Sequence, residues 1–259
     1  MGRLLTRAAR TKELKAQTDY NEGAASQPYA TKSDRGLSSL HLAHNWVVNG
    51  IWTLPSPARS GFASYLLGGW QFSGIYSASS GAPFTTYVNG RNAPDLTRNA
   101  GRQHPDIVAG RNNSNIVSGT TAGCSFSGGT LVPYNGTAGV TPGQKLGTPD
   151  LYFDPCAFFL PPAGFYGNAG RNFLIGPGFS NVDFSLLKNT HVGIHEGSRL
   201  EFHADFFNLF NRANFGPPTG TPGTQTLNAA NRQPVAGAGL LTKVVGRERQ
   251  VQFGLKLIF

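Results

Sequence analysis

The sequence has no run approaching the ~20 consecutive apolar residues that a membrane-crossing helix requires, so a helical span is excluded. Acidic side chains are few, 13 Asp and Glu against 22 Lys and Arg. The resulting formal charge of +9 would point to nucleic acid if it were concentrated, but the basic residues are scattered and form no basic helix with interleaved aromatics. Nucleic acid is therefore not an expected partner. Catalytic signatures are missing too: no Gly-x-Ser-x-Gly elbow occurs, and Gly176-Pro177-Gly178 loses a backbone donor at its proline, so it is a poor phosphate cradle. Neither an enzyme activity nor a cofactor is expected. Met1 to Lys15 is basic, but no apolar export segment follows, which leads us to expect that an N-terminal portion precedes this chain.

What is present is β-forming and rich in turns. Charged residues make up 14%, while there are 34 Gly, 17 Pro and 18 Phe. Gly and Pro break helices, and aromatics suit a pleated surface. Five segments alternate apolar and polar residues, the period of a strand with one apolar face. Ser39–Leu54 sets Leu40, Leu42, Trp46, Val48 and Trp52 on one side; Ser64–Ala78 does the same with Leu66, Trp70, Phe72 and Tyr76. Asn181–Thr190 aligns Val182, Phe184 and Leu186; Ser198–Phe210 aligns Leu200, Phe202, Ala204 and Phe206; Arg247–Phe259 aligns Val251, Phe253, Leu255, Leu257 and Phe259. These runs exceed ordinary strands of ~5–6 residues and reach the ~9–11 that a tilted bilayer crossing needs.

Alternation suits a soluble sandwich as well as a membrane wall, so the connections decide. They alternate short and long: 55–62 and 191–197 are short, whereas 79–180 and 211–246 are long. An outer-membrane barrel has this asymmetry, with tight periplasmic turns and long external loops. The predicted fold is all-β and antiparallel: the C-terminal part of a transmembrane β-barrel, an open curved sheet of about five or six long strands. Loops 79–180 and 211–246 are expected to be extracellular, the first without structure of its own, and the chain to end in the periplasm. Residues 36–259 form this partial barrel, and 1–35 are unassigned. A soluble secreted β-rich adhesin or carbohydrate-binding module is the competing reading.

Particular residues then narrow the family. The run Glu201-Phe202-His203-Ala204-Asp205-Phe206-Phe207-Asn208-Leu209-Phe210-Asn211-Arg212-Ala213-Asn214-Phe215-Gly216 resembles the next-to-last strand of TonB-dependent receptors of the Oar-like group, which bear a carboxypeptidase-regulatory domain. Gly69-Trp70-Gln71-Phe72-Ser73-Gly74, Ser80-Gly81-Ala82-Pro83-Phe84, Gly170-Arg171-Asn172 and the ending Gln250 to Phe259 are similar to the same group, in the same order. The resemblance spans roughly residues 33–259. It implies residence in the cell outer membrane against its lipid, an N-terminal plug, further barrel strands, and energising by TonB through the plug region. A scarce solute such as a siderophore, cobalamin or oligosaccharide would be the cargo. The closing strand, with Phe253, Leu255, Leu257 and Phe259, resembles the signal read by the outer-membrane assembly machinery.

Candidate site residues follow from position. Tyr87, Asn89, Arg91 and Tyr134 lie in the first long loop and have side chains able to stack on and hydrogen-bond a solute. Arg199, Glu201, His203 and Asp205 share one face of the fourth strand; in a barrel that face looks into the lumen, where an ionic network is expected rather than acid–base catalysis. His41 and His44 point to opposite faces of a strand and are not expected to share a metal, and His191 and His195 flank a turn with only Glu196 nearby. Cys124 and Cys156 are either a bridge worth about 3 to 4 kcal/mol or two separate thiols.

Overall fold

A computed structural model describes residues 35–56, 61–90, 103–128, 130–136, 139–193, 197–219 and 223–259. The chain forms two units: one from the described parts of Met1–Ala43, Gly81–Pro177 and Phe215–Val244, the other from His44–Ser80, Gly178–Asn214 and Val245–Phe259. Of the unassigned 1–35, residues 1–34 lie outside the described residues.

The second unit is an open antiparallel sheet of five long strands: β1 (Asn45–Thr53), β2 (Trp70–Ser79), β3 (Phe179–His191), β4 (Arg199–Phe207) and β5 (Gln250–Ile258). Their order in space is their order in the chain. Registers run from Asn45↔Ser79 to Thr53↔Gln71, Phe179↔Ser79 to Lys188↔Trp70, Phe184↔Phe206 to His191↔Arg199, and Arg199↔Ile258 to Phe207↔Gln250. A strand of nine residues is ~30 Å long, enough to cross hydrocarbon at a barrel's tilt. The all-β antiparallel expectation holds, and the sheet is not closed, since β1 and β5 remain edges among the described residues.

Three strands start clearly later than their alternation suggests, the fifth at Gln250 instead of Arg247. The first begins at Asn45 because Ser38 to Leu40 makes a turn, with His41 N donating to Ser38 O at 2.9 Å and Leu40 N to Ser38 Oγ at 3.3 Å. The second begins at Trp70, and Phe62–Leu67 is a short helix, α1. Phe-Ala-Ser-Tyr-Leu-Leu contains good helix formers, and over six residues period two and period 3.6 are hard to tell apart. Gly69 (φ 72) ends it where a Cβ would collide with Asn189 O.

The larger correction concerns the long links, because the first of them is not structureless. Both supply one compact unit, in which Tyr87–Asn89 from the first pairs in parallel with Gln225–Asn228 from the second. Its core gathers Phe84, Val88, Ile116, Phe126, Phe153, Phe158, Leu160, Leu174, Leu227 and Leu241. Phe153 meets Phe158 edge-on at 5.8 Å, and Phe84 lies 6.1 Å from Phe153. Backbone groups close the unit: Tyr152 N donates to Gly239 O, and Leu241 N to Pro149 O, both at 2.8 Å. These apolar residues follow no period, because short strands of two to four residues leave no room for one.

Cys124 and Cys156 form a disulfide, with Cα atoms 5.7 Å apart across 32 residues. Beside it, buried Asp154 accepts from Thr121 Oγ1 (2.9 Å), Cys156 N (3.0 Å) and Arg111 Nη2. A carboxylate taken out of water needs these donors, which also anchor the bridge's second half.

Candidate functional site

Most of the apolar side chains of the five strands share one continuous face. Register places Trp52 beside Phe72 and Phe184 beside Phe206, with centroids 6.3 and 6.1 Å apart. Gly74, the partner of Phe184, has no side chain, so the Phe184 ring leans over it and stacks on Phe72 at 5.8 Å. Phe202 and Phe253 stack at 6.2 Å on the next pair of strands. Trp46, Val48 and Trp52 at one edge, and Phe253 (71% exposed) and Leu255 (70%) at the other, stay uncovered. A contiguous apolar band of this kind is unfavourable in water and favourable against lipid.

The opposite face is largely polar along β4 and β5 and mixed at the β1–β2 edge, where Val47, Ile51 and Ile75 are exposed. Arg199 Nε donates to Glu201 Oε1 at 2.9 Å, and His203 Nε2 lies 3.8 Å from Glu201 Oε2. Lys256 is the cross-strand partner of Glu201. Asp205 does not join this group: it accepts from Ser185 Oγ at 2.5 Å across β3 and β4. Of the four residues expected as one network, three come together and the fourth is held by a hydroxyl that alternation alone could not single out. Among the described residues no group of three or more His, Cys, Asp or Glu side chains could hold a metal ion. His195 and Glu196 lie outside the described residues.

Two asparagines of the motif run, without a role evident from sequence, end the sheet at its long-link side. Asn208, at φ 50, donates from its backbone N to Asp183 Oδ1 (2.9 Å) and from Nδ2 to Arg247 O (2.9 Å) and Arg212 O (3.1 Å); its Oδ1 accepts from Arg212 N at 2.9 Å. Asn214 exchanges paired bonds with the backbone of Ser180, at 2.9 and 3.0 Å. Asn208 of the Phe-Asn-Leu-Phe-Asn run thus ends β4 and ties it to β3 and to the chain entering β5, and Asn214 beyond that run holds the start of β3. Asparagine suits this because it tolerates positive φ and carries both donor and acceptor.

The expected solute contacts are dispersed. Tyr87 and Asn89 share a short strand: the Tyr87 ring packs 5.7 Å from His104, and Asn89 O accepts from Ala229 N at 2.8 Å. Tyr134 follows Thr130–Val132, an outer strand of a separate three-stranded sheet centred on Cys124–Ser127. Arg91 lies outside the described residues. A different feature of this unit is concave: an open groove of about 490 Å³ lined by Val140, Gln144, Asp150, Leu151, Gln233 and Val235, among others. Its residues come from both long links, so no single stretch of sequence advertised it. Phe253, Leu255, Leu257 and Phe259 lie at the uncovered edge, with Phe259 one residue past the end of β5.

A family model described as an outer membrane beta barrel domain matches residues 9–252. No curated protein and no solved structure matches the chain. The match and the uncovered apolar face favour a membrane wall over a soluble module, and they locate the sheet in the cell outer membrane, against its lipid. The chain belongs to the outer membrane beta barrel domain family.

Proposed function

We propose that the chain is the C-terminal barrel portion of a TonB-dependent outer-membrane receptor, contributing barrel wall and an extracellular capture surface for a scarce solute such as a siderophore, cobalamin or oligosaccharide. The observation that supports it is that the two long links fold into one bridged unit carrying an open groove, while the other strand connections are short. In this reading the polar face of the sheet lines the lumen and meets a plug, and the plug region contacts TonB. Further strands complete the barrel, since five fall short of the about eight of the smallest closed ones. The uncovered strand β5, with Phe259 just past it, is offered to the assembly machinery. The role is binding and passage, with no chemical step and no cofactor.

The test is solute capture by outer membranes carrying the protein. Equilibrium dialysis against a ferric siderophore, cobalamin and a maltooligosaccharide is expected to show retention of one of them, weakened by a combined Gln144→Ala and Asp150→Ala change. Retention of none, or retention indifferent to both substitutions, contradicts the capture reading.

A further inference from the structure

Among the described residues of the strands, one cation lies on the apolar face. Lys188 occupies the register row of Trp70 and Phe202, near the short-link end of β3. A charge in that row is costly at the centre of hydrocarbon and tolerable at the headgroup level, so its depth is the interface. The neighbouring structure fits that depth. α1 lies in the same link region and exposes Phe62, Tyr65, Leu66 and Leu67, and the Trp70 indole donates to Leu66 O at 2.9 Å. Lys188 Nζ donates to Tyr65 O at 2.7 Å and to Gly68 O, and sits 5.2 Å from the Trp70 ring centroid. Those carbonyls are the ones a helix C-terminus leaves without partners. They take two of the three ammonium donors and leave one for an anion.

Trp70, over whose ring the ammonium sits, also lines an apolar recess of about 630 Å³, together with Trp52, Leu54, Leu67, Phe72 and Leu186. Its walls belong to the face that meets lipid, so a hydrocarbon chain fills it more favourably than water. A recess of acyl-chain character close to an interfacial cation matches one molecule with both parts.

We propose that this recess and Lys188 form a binding site for an anionic glycerophospholipid, with one acyl chain in the recess and the phosphate on the remaining Lys188 N–H. The inference rests on the membrane placement of the apolar face and is independent of any solute. The lipid would fix α1 and the β1–β2 link at the membrane surface.

Brominated acyl chains, which quench indole fluorescence on contact, test it. The chain has three tryptophans, and Trp46→Phe leaves the two that line the recess. That variant is expressed, joined to the strands that complete its barrel with any tryptophan in them replaced by phenylalanine, to the outer membrane of a Gram-negative host, purified and moved into phosphatidylcholine vesicles doped with a low fraction of brominated lipid. Brominated phosphatidylglycerol should quench roughly fivefold more effectively than brominated phosphatidylcholine at the same fraction, the preference a single cation near a headgroup confers. Adding Lys188→Met, which keeps the apolar stem, should remove the preference and leave quenching by both lipids. Equal quenching with Lys188 present overturns the site but not the membrane placement. No quenching by either lipid overturns both.

Discussion

Removing the Cys124–Cys156 bridge should uncouple the unit built from the long links. The two cysteines close a loop of 32 residues in the unfolded chain. Loop-closure entropy assigns such a bridge about 4 kcal/mol at 25 °C. The hub around Asp154 makes the loss local, because Cys156 N and Thr121 Oγ1 are held by that carboxylate and not by the sheet of long strands. With a urea dependence of ~1–2 kcal/mol per molar, the unfolding midpoint of this unit should fall by ~2–4 M. Pulse proteolysis in urea, applied to outer membranes carrying the wild type or the Cys124→Ser, Cys156→Ser double variant, reads that midpoint as cleavage within 103–177. Adding reductant to the wild type should reproduce the shift and leave the double variant unchanged. A midpoint that moves by less than about 0.5 M would refute the reasoning, since it would mean that the closed loop does not restrict the unfolded chain.

Other perturbations separate the remaining parts of the account. Asp154→Ala leaves the Arg111, Thr121 and Cys156 donors without their acceptor and should destabilise the same unit by about 2–3 kcal/mol, discounted for the partial exposure of Arg111; the same proteolysis midpoint measures it. Asn208→Gly should weaken the end of the sheet less than Asn208→Ala, because glycine accepts φ 50 and alanine adds about 1 kcal/mol of backbone strain to the lost side-chain bonds; the heat-induced gel shift of the barrel would rank them. Burial pushes the Tyr152 phenol above its ordinary range, so the fold favours the neutral form. That contribution is whole below a pH of about 10 and is lost as pH rises through that value towards the folded one, and Tyr152→Phe, which also loses the 2.8 Å bond to Ile175 O, should flatten the high-pH slope of the proteolysis midpoint. Leu255→Arg, near the middle of β5, should cost about 2–4 kcal/mol in membrane folding, whereas Gln252→Arg on the other face should cost little; urea titration of the two variants in vesicles compares them.

The sheet was legible because its signal is local. Leu200 to Phe206 and Val251 to Leu257 alternate over enough residues for period two to stand alone, and the contrast between short and long links pointed to the architecture. The unit at 81–177 and 215–244 was not legible because it is made of contacts between distant short pieces, such as Val88 with the strand at 225–228 and Tyr152 with Gly239. Spacing likewise could not decide the cysteine pair, since a bridge depends on Cα atoms approaching to 5.7 Å across 32 residues. The polar row of β4 was visible as a row, but which members pair was set by neighbours: Ser185 takes Asp205, while Glu201 faces Lys256. Asn208 and Asn214 were visible as motif letters without a role, because their role is defined by the backbone positions of β3 and the approach to β5. The groove lined by Gln144, Asp150 and Gln233 had no sequence signal, as its walls meet only after both links fold.

The central claim is that one face of the sheet touches hydrocarbon and the other touches water. Spin labels on single cysteines introduced in turn at 251 to 257 of β5, with the native pair left bridged, measure this through collision with oxygen, which partitions into lipid, and with a nickel chelate, which does not. The account predicts oxygen maxima at Val251, Phe253, Leu255 and Leu257, with nickel maxima at Gln252, Gly254 and Lys256. Uniform accessibility, or an alternation of opposite phase, would contradict it.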